Sequence, residues 1–193
     1  MTDESPVRRR DAAATRAAIL ASAIKAFAAR GYDGAGVRDI AEQAGVTAML
    51  VNRYFGSKEA LFTEAAAVTF ADPQILRDDV MASSARARDL AGALVAETAG
   101  DGSRLEGFLI LLRSSGNPRA AEICREQIER HQQRRLASAI DGVDAAERAA
   151  IALSLIAGFQ LMRQMVGLDA LDAASPGRLA ALLTPALAAL LDA

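Results

Sequence analysis

Asn52 and Arg53 are the side chains of this sequence best suited to reading the hydrogen-bond pattern of another molecule. An asparagine amide pairs through two hydrogen bonds with an adenine edge, and an arginine fork does the same with guanine. Ala48 and Met49, one turn earlier, offer apolar contact of the kind a thymine methyl accepts. At positions 48, 49, 52 and 53 the four share one helical face, so together they suit recognition of base edges in a DNA major groove. Catalysis has no comparable cluster. The single His131 stands in ERHQQRR among long polar side chains, and the single Cys124 is not clustered with it. No catalytic residues, metal site or cofactor are therefore expected, and Cys124 reads as a small buried hydrophobe rather than a redox sensor.

The elements that must position these four side chains are short and clearly punctuated. Ile19, Leu20, Ala23, Ile24, Phe27 and Ala28 recur at helical spacing and predict a first helix over 12–30, stopped by Gly31. Val37 to Ala44 predicts a short second helix with Val37, Ile40, Ala41 and Ala44 facing inward. Gly45 supplies the turn, and Thr47 is a good N-cap for a third helix over 48–55 that buries Val51 and Phe55. Gly56-Ser57 breaks that helix, and Ser57 can cap a fourth beginning KEALF. Two short helices joined by a glycine turn and packed on a longer one have the geometry of a DNA-binding helix-turn-helix.

Beyond Ala71, Asp72-Pro73 reads as a helix start, and Gly100-Asp101-Gly102 and Gly116-Asn117-Pro118 read as breaks. Helices are predicted over 84–98, 103–115, 118–141, 144–167 and 176–191. No stretch alternates at period two, so the fold class is all-α, with about nine helices.

Charge is divided unevenly. From Arg8 to Lys58 there are nine basic and four acidic residues, a surplus of five positive charges, within a chain whose net charge is −2. That layout suits a DNA-binding module joined to a second function. The N-terminus has no apolar leader, and no stretch of 18 or more residues is both apolar and uncharged. A soluble, cytoplasmic protein with no membrane partner is expected.

The stretch TRAAILASAIKAFAARGYDGAGVRDIAEQAGVTAMLVNRYFGSKEALF, from Thr15 to Phe62, resembles the N-terminal domain of the TetR family of bacterial repressors. ARGYDG, VRDIAEQAGV and RYFGSKEALF follow in order without a gap. The resemblance implies that Arg38 reaches a base or phosphate from the second helix. It puts Thr47, Ala48, Met49, Asn52 and Arg53 on the turn and the recognition face. Tyr54 and Lys58 fall at phosphate-contact positions, the latter helped by the amides that open the fourth helix. The sequence departs from the family at Gly36, where Ser or Thr is usual, at Asn52, where Tyr is common, and at Met49, where a small residue is usual. Arg8, Arg9 and Arg10 resemble the basic arm that some members lay in a minor groove.

Three segments are therefore expected: a flexible basic arm over 1–11, a DNA-binding domain over 12–57, and a helical ligand-binding and dimerisation domain over 58–193. The helices IALSLIAGFQLMRQMVGL and LAALLTPALAALL are apolar around most of their circumference and need partners on more than one side. The resemblance implies that these last two helices pair with their copies in a homodimer, which would match a palindromic double-stranded operator. A pocket for a small-molecule inducer would be lined by Phe108, Leu111, Leu112, Phe159, Met162 and Met165, with Arg113, Gln160 or Arg163 as polar handles. Core packing accounts for the apolar members equally well. The function expected is that of a ligand-responsive DNA-binding repressor. The rivals are a helical protein-interaction module and a small-molecule carrier that does not act through DNA.

Overall fold

Gly31 shows how this chain turns composition into architecture. Its φ of 69° interrupts the first helix, α1 (Pro6–Gly34), at the point where sequence predicts a stop. A Cβ there would lie 2.2 Å from the carbonyl oxygen of Arg113, so the glycine also permits close backbone contact with a later helix. The computed structural model describes residues 6–71, 74–99 and 105–192, with side chains described for all of these except 6–10 and 74.

The order along the chain is α1, α2 (Val37–Gln43), α3 (Ala48–Phe55), α4 (Lys58–Ala71), α5 (Asp78–Met81), α6 (Arg86–Glu97), α7 (Glu106–Ser114), α8 (Pro118–Ile128), α9 (Arg134–Ala137), α10 (Ala145–Gln160), α11 (Asp169–Asp172) and α12 (Pro176–Leu191). Of these twelve α-helical segments among the described residues, three are single four-residue turns. π-Helical turns at Glu129–Gln133 and Leu161–Val166 carry α8 into α9 and extend α10. No strand occurs among the described residues.

The described residues hold more helical segments than the roughly nine expected, the short α11 among them, and two further differences bear on the first unit and its exit. The first helix begins at Pro6 rather than Ala12, because proline is preorganised for a first turn and the following arginines and alanines are strong helix formers. Between α4 and α6 the chain makes a 3-10 turn at Gln74–Leu76 and the short α5. The helix start expected at Asp72-Pro73 and the break at Gly100-Asp101-Gly102 lie outside the described residues.

The chain divides into two compact units, Met1–Thr69 with Glu106–Arg125, and Phe70–Leu105 with Glu126–Ala193. In the first unit Ile19, Ala23, Phe27, Ile40, Val51, Leu61 and Phe62 are buried. Phe27 and Phe62 meet edge to face at 5.0 Å, and Tyr32 meets Phe62 at 4.9 Å, pairs worth about 0.5–1.5 kcal/mol each beyond their area. The backbone N–H of Tyr32 donates to Ser114 Oγ at 3.0 Å, fixing α7 beside α1. In the second unit α6 packs along α12, and Leu90, Leu94, Leu136, Ile156, Leu187 and Leu191 form the core. Asp11–Gly34 and Ala145–Val166 are long and apolar enough by composition to cross a membrane. The first buries Ile19 and Phe27 in the core of its own unit, and the second buries Ala152 and Ile156.

Candidate nucleic-acid interface

α3 is eight residues long, too short to persist alone. Local chemistry and packing hold it in place. Thr47 precedes it in extended conformation and its Oγ1 accepts from the Leu50 N–H at 3.3 Å, satisfying one orphan donor of the first turn. The turn before it closes through Gly45, with φ of 68°, and through the Val46 N–H donating to the Ala41 carbonyl at 2.9 Å. Val51 and Phe55 are buried, which leaves the opposite face to solvent. After Gly56, Ser57 Oγ accepts from the Ala60 N–H at 3.0 Å and caps α4.

The outward face carries the side chains that the sequence singled out. Met49 is 81% exposed, and Asn52 and Arg53 are exposed beside it; Ala48 and Tyr54 are half-buried. Arg38 on α2 is exposed. Among the described residues Arg38, Asn52 and Arg53 make no side-chain hydrogen bond or ion pair, so each can bond to a base or phosphate without first breaking an internal contact. Lys58 is differently placed. It is half-buried with Nζ 4.7 Å from the centre of the Tyr32 ring, a cation–π contact at the opening turn of α4.

Gly36 opens α2 without any side-chain cap. Asp39 in that first turn bonds Arg30 at 2.9 Å, and a Cβ on Gly36 would come within 3.3 Å of the Asp39 carboxylate. The acidic side chain favours the positive end of α2 in place of the missing hydroxyl. Arg8, Arg9 and Arg10 lie along the first turns of α1, and their side chains, with the minor-groove contact expected of them, lie outside the described residues.

Several cations outside this face are engaged internally. Arg16 pairs with Glu64, and Arg119 bridges Glu59 and Glu122 at 2.8 and 2.6 Å. Of the residues suggested for an inducer pocket, Leu111 and Phe108 are half-buried on α7, while Leu112 and Arg113 are exposed. The Arg113 guanidinium donates to the carbonyls of Ala28 and Ala29, ahead of the break at Gly31. Phe159 and Gln160 close α10 and are half-buried, and Met162 and Met165 follow, exposed, on its π turn. Arg163 donates to the Val95 carbonyl and Thr98 Oγ1, both at 2.8 Å, at the C-terminal end of α6. Both arginines thus satisfy groups at helix C-termini, as cations there do. Sequence reasoning missed these roles and those of Arg16, Tyr32 and Arg119, because each depends on a partner distant in the chain.

Cys124 is fully buried, and burial pushes its thiol up to about 11, against an ordinary value of 9.0. The reactive thiolate is therefore scarce near neutral pH. No group of three or more His, Cys, Asp or Glu side chains is placed to hold a metal among the described residues.

Residues 19–65 match the profile of the bacterial regulatory proteins of the tetR family, and residues 85–191 match that of the tetracyclin repressor-like C-terminal domain. No curated protein matches the sequence. Among solved structures, a TetR-family regulator of Streptomyces coelicolor is similar at 25% identity and a TM-score of 0.61, with 94% of this chain and 96% of that chain covered. GusR of Salmonella enterica superposes with a TM-score of 0.67 at 20% identity, covering 93% and 96%. A transcriptional regulator of Rhodococcus does so with 0.66 at 24%, covering 92% and 96%. The last two bear on fold alone.

Proposed function

Because the chain belongs to the TetR family of bacterial regulatory proteins, we propose that it is a sequence-specific repressor released from a palindromic operator by a small-molecule inducer. The observation that carries the DNA-reading part is the outward face of α3. Met49, Asn52 and Arg53 are exposed there with no internal partner among the described residues, on a helix held by the Thr47 cap and by burial of Val51 and Phe55. In this reading Asn52 and Arg53 contact bases, Ala48 and Met49 meet apolar groove surface, and Arg38, Thr47, Tyr54 and Lys58 fix the backbone. The function needs no catalytic step.

The division of labour places DNA reading in 12–57, preceded by the basic arm 1–11, and inducer binding and dimerisation in 58–193. A homodimer through α10 and α12 is supported by apolar side chains left exposed on both. Ile151 and Leu182 are 56% and 58% exposed, and Val166 on the π turn is 55% exposed. A two-fold pair would set the two α3 helices at half-sites spaced by about a helical turn or a multiple of it. An inducer that favours a different spacing would empty the operator by population shift. The setting is the cytoplasm, where the operator is.

A mobility-shift assay on the DNA around the protein's own gene tests this. Sequence-specific binding that weakens steeply with salt is expected. Binding that ignores sequence, or no binding, would contradict it and favour an interaction module or a carrier.

A further inference from the structure

Arg16 belongs to the basic N-terminal stretch, yet its guanidinium is engaged on two sides. Nη1 and Nη2 each donate to a different oxygen of Glu64, both at 2.6 Å. Its Cζ lies 4.6 Å from the centre of the Phe55 ring. The three residues sit on α1, on α4 and at the last position of α3. Phe55 is buried, so its ring is held by the core on one side and by a flat cation on the other. Two parallel bonds to one carboxylate fix the plane of a guanidinium, and that plane is what stacks on an aromatic face. Lysine, a point charge, can do neither.

α3 is gripped at both ends, by the Thr47 cap at the start and by the Phe55 packing at the finish. Its reading residues Asn52 and Arg53 lie within one turn of the second grip. A shift of the helix end that carries Phe55 therefore moves both.

We propose that Arg16 is a positioning residue for the recognition helix. It braces Phe55 against α1 and α4 through Glu64, and so sets the angle at which α3 presents Asn52 and Arg53, instead of lending its charge to a DNA phosphate. This rests on the DNA-reading role proposed above.

The test uses the full-length protein, a duplex that the wild type selects from a random pool, and a scrambled duplex of the same length. Affinity for each is measured over a salt series for the wild type, Arg16→Lys, Arg16→Ala and Glu64→Gln. The expected result is a loss of about tenfold in the selected-to-scrambled ratio for Arg16→Lys and for Glu64→Gln, roughly the cost of one mismatched base pair. The salt slope of Arg16→Ala should match the wild type. A phosphate contact predicts the reverse: Arg16→Lys binds as the wild type, Glu64→Gln binds more tightly, and Arg16→Ala lowers the slope by about one. That outcome overturns the proposal. So does an unchanged ratio with a lowered thermal midpoint, which would make the brace a general support of the fold. A wild type that selects no duplex brings down the DNA-reading role itself, a result separate from any ratio among the variants.

Discussion

α3 and α10 both keep a face that their own unit leaves uncovered, and the two faces differ in kind. On α3 the exposed positions include Asn52 and Arg53, and on α10 with its π turn they include Ile151, Met162, Met165 and Val166. A polar face in water costs little, so α3 is stable as it stands and gains only when a matching surface arrives. An exposed apolar stripe forgoes about 25 cal/mol for each Å² it could bury, so α10 has a standing drive toward a partner. Met49 is the exception on α3, a large apolar side chain standing in solvent among polar neighbours.

The largest effect is expected on the apolar face. Ile151→Glu combined with Leu182→Glu would bury unpaired carboxylates in the proposed dimer and cost about 3 kcal/mol or more of association free energy, over a hundredfold in the dimer dissociation constant. Sedimentation at micromolar concentration should show monomers, with helix content unchanged. A dimer that survives both substitutions would place the interface elsewhere.

Gly31→Ala acts inside the first unit, away from the exposed side chains of α3, and serves as the contrast. Positive φ and the approach of the Arg113 carbonyl together should cost about 3 kcal/mol of folding stability, read as a drop in thermal midpoint. The oligomeric state at low temperature should not change. On the polar face, Asn52→Ala and Arg53→Ala should each weaken binding to a selected duplex by about 1–3 kcal/mol while leaving the midpoint alone, and anisotropy titrations would read both. Thr47→Ala removes one cap and should lower the midpoint by an amount corresponding to about 1 kcal/mol.

The effect that is nil near neutral pH concerns Cys124. Its folded thiol is raised above its ordinary value, so the folded state holds the proton more tightly than the unfolded one. The stability this gives is complete below about pH 9 and is lost as pH rises toward about 11. In denaturant midpoints, Cys124→Ala should differ from the wild type by a constant packing offset below about pH 9, and that difference should change only in the alkaline window.

The helix-turn-helix was legible because its signals are local. Gly45, Thr47, Gly56 and Ser57 each act within four residues, through a positive φ or a single capping bond. The apolar character of α10 and α12 around most of their circumference was legible from their composition. What stayed hidden depends on distance along the chain. Arg113 and Arg163 each bond a helix end, 85 and 68 residues away, and no local signal marks those partners. Arg16 read as one more positive charge until Glu64, 48 residues on, supplied its partner. No residue type in the sequence marks the π turns at Glu129–Gln133 and Leu161–Val166. The sequence marks Gly31 as a helix stop, and its second role, admitting the Arg113 backbone, depends on a residue 82 positions away and so is set by the fold.

The most direct measurement is selection of DNA from a random pool by the wild type and, in parallel, by Asn52→Ala. If α3 reads bases, the wild type should enrich an inverted repeat, and Asn52→Ala should enrich the same repeat with preference relaxed at one position in each half-site. No enriched motif, or an identical motif from both proteins, would contradict the assignment of α3 as the reading element.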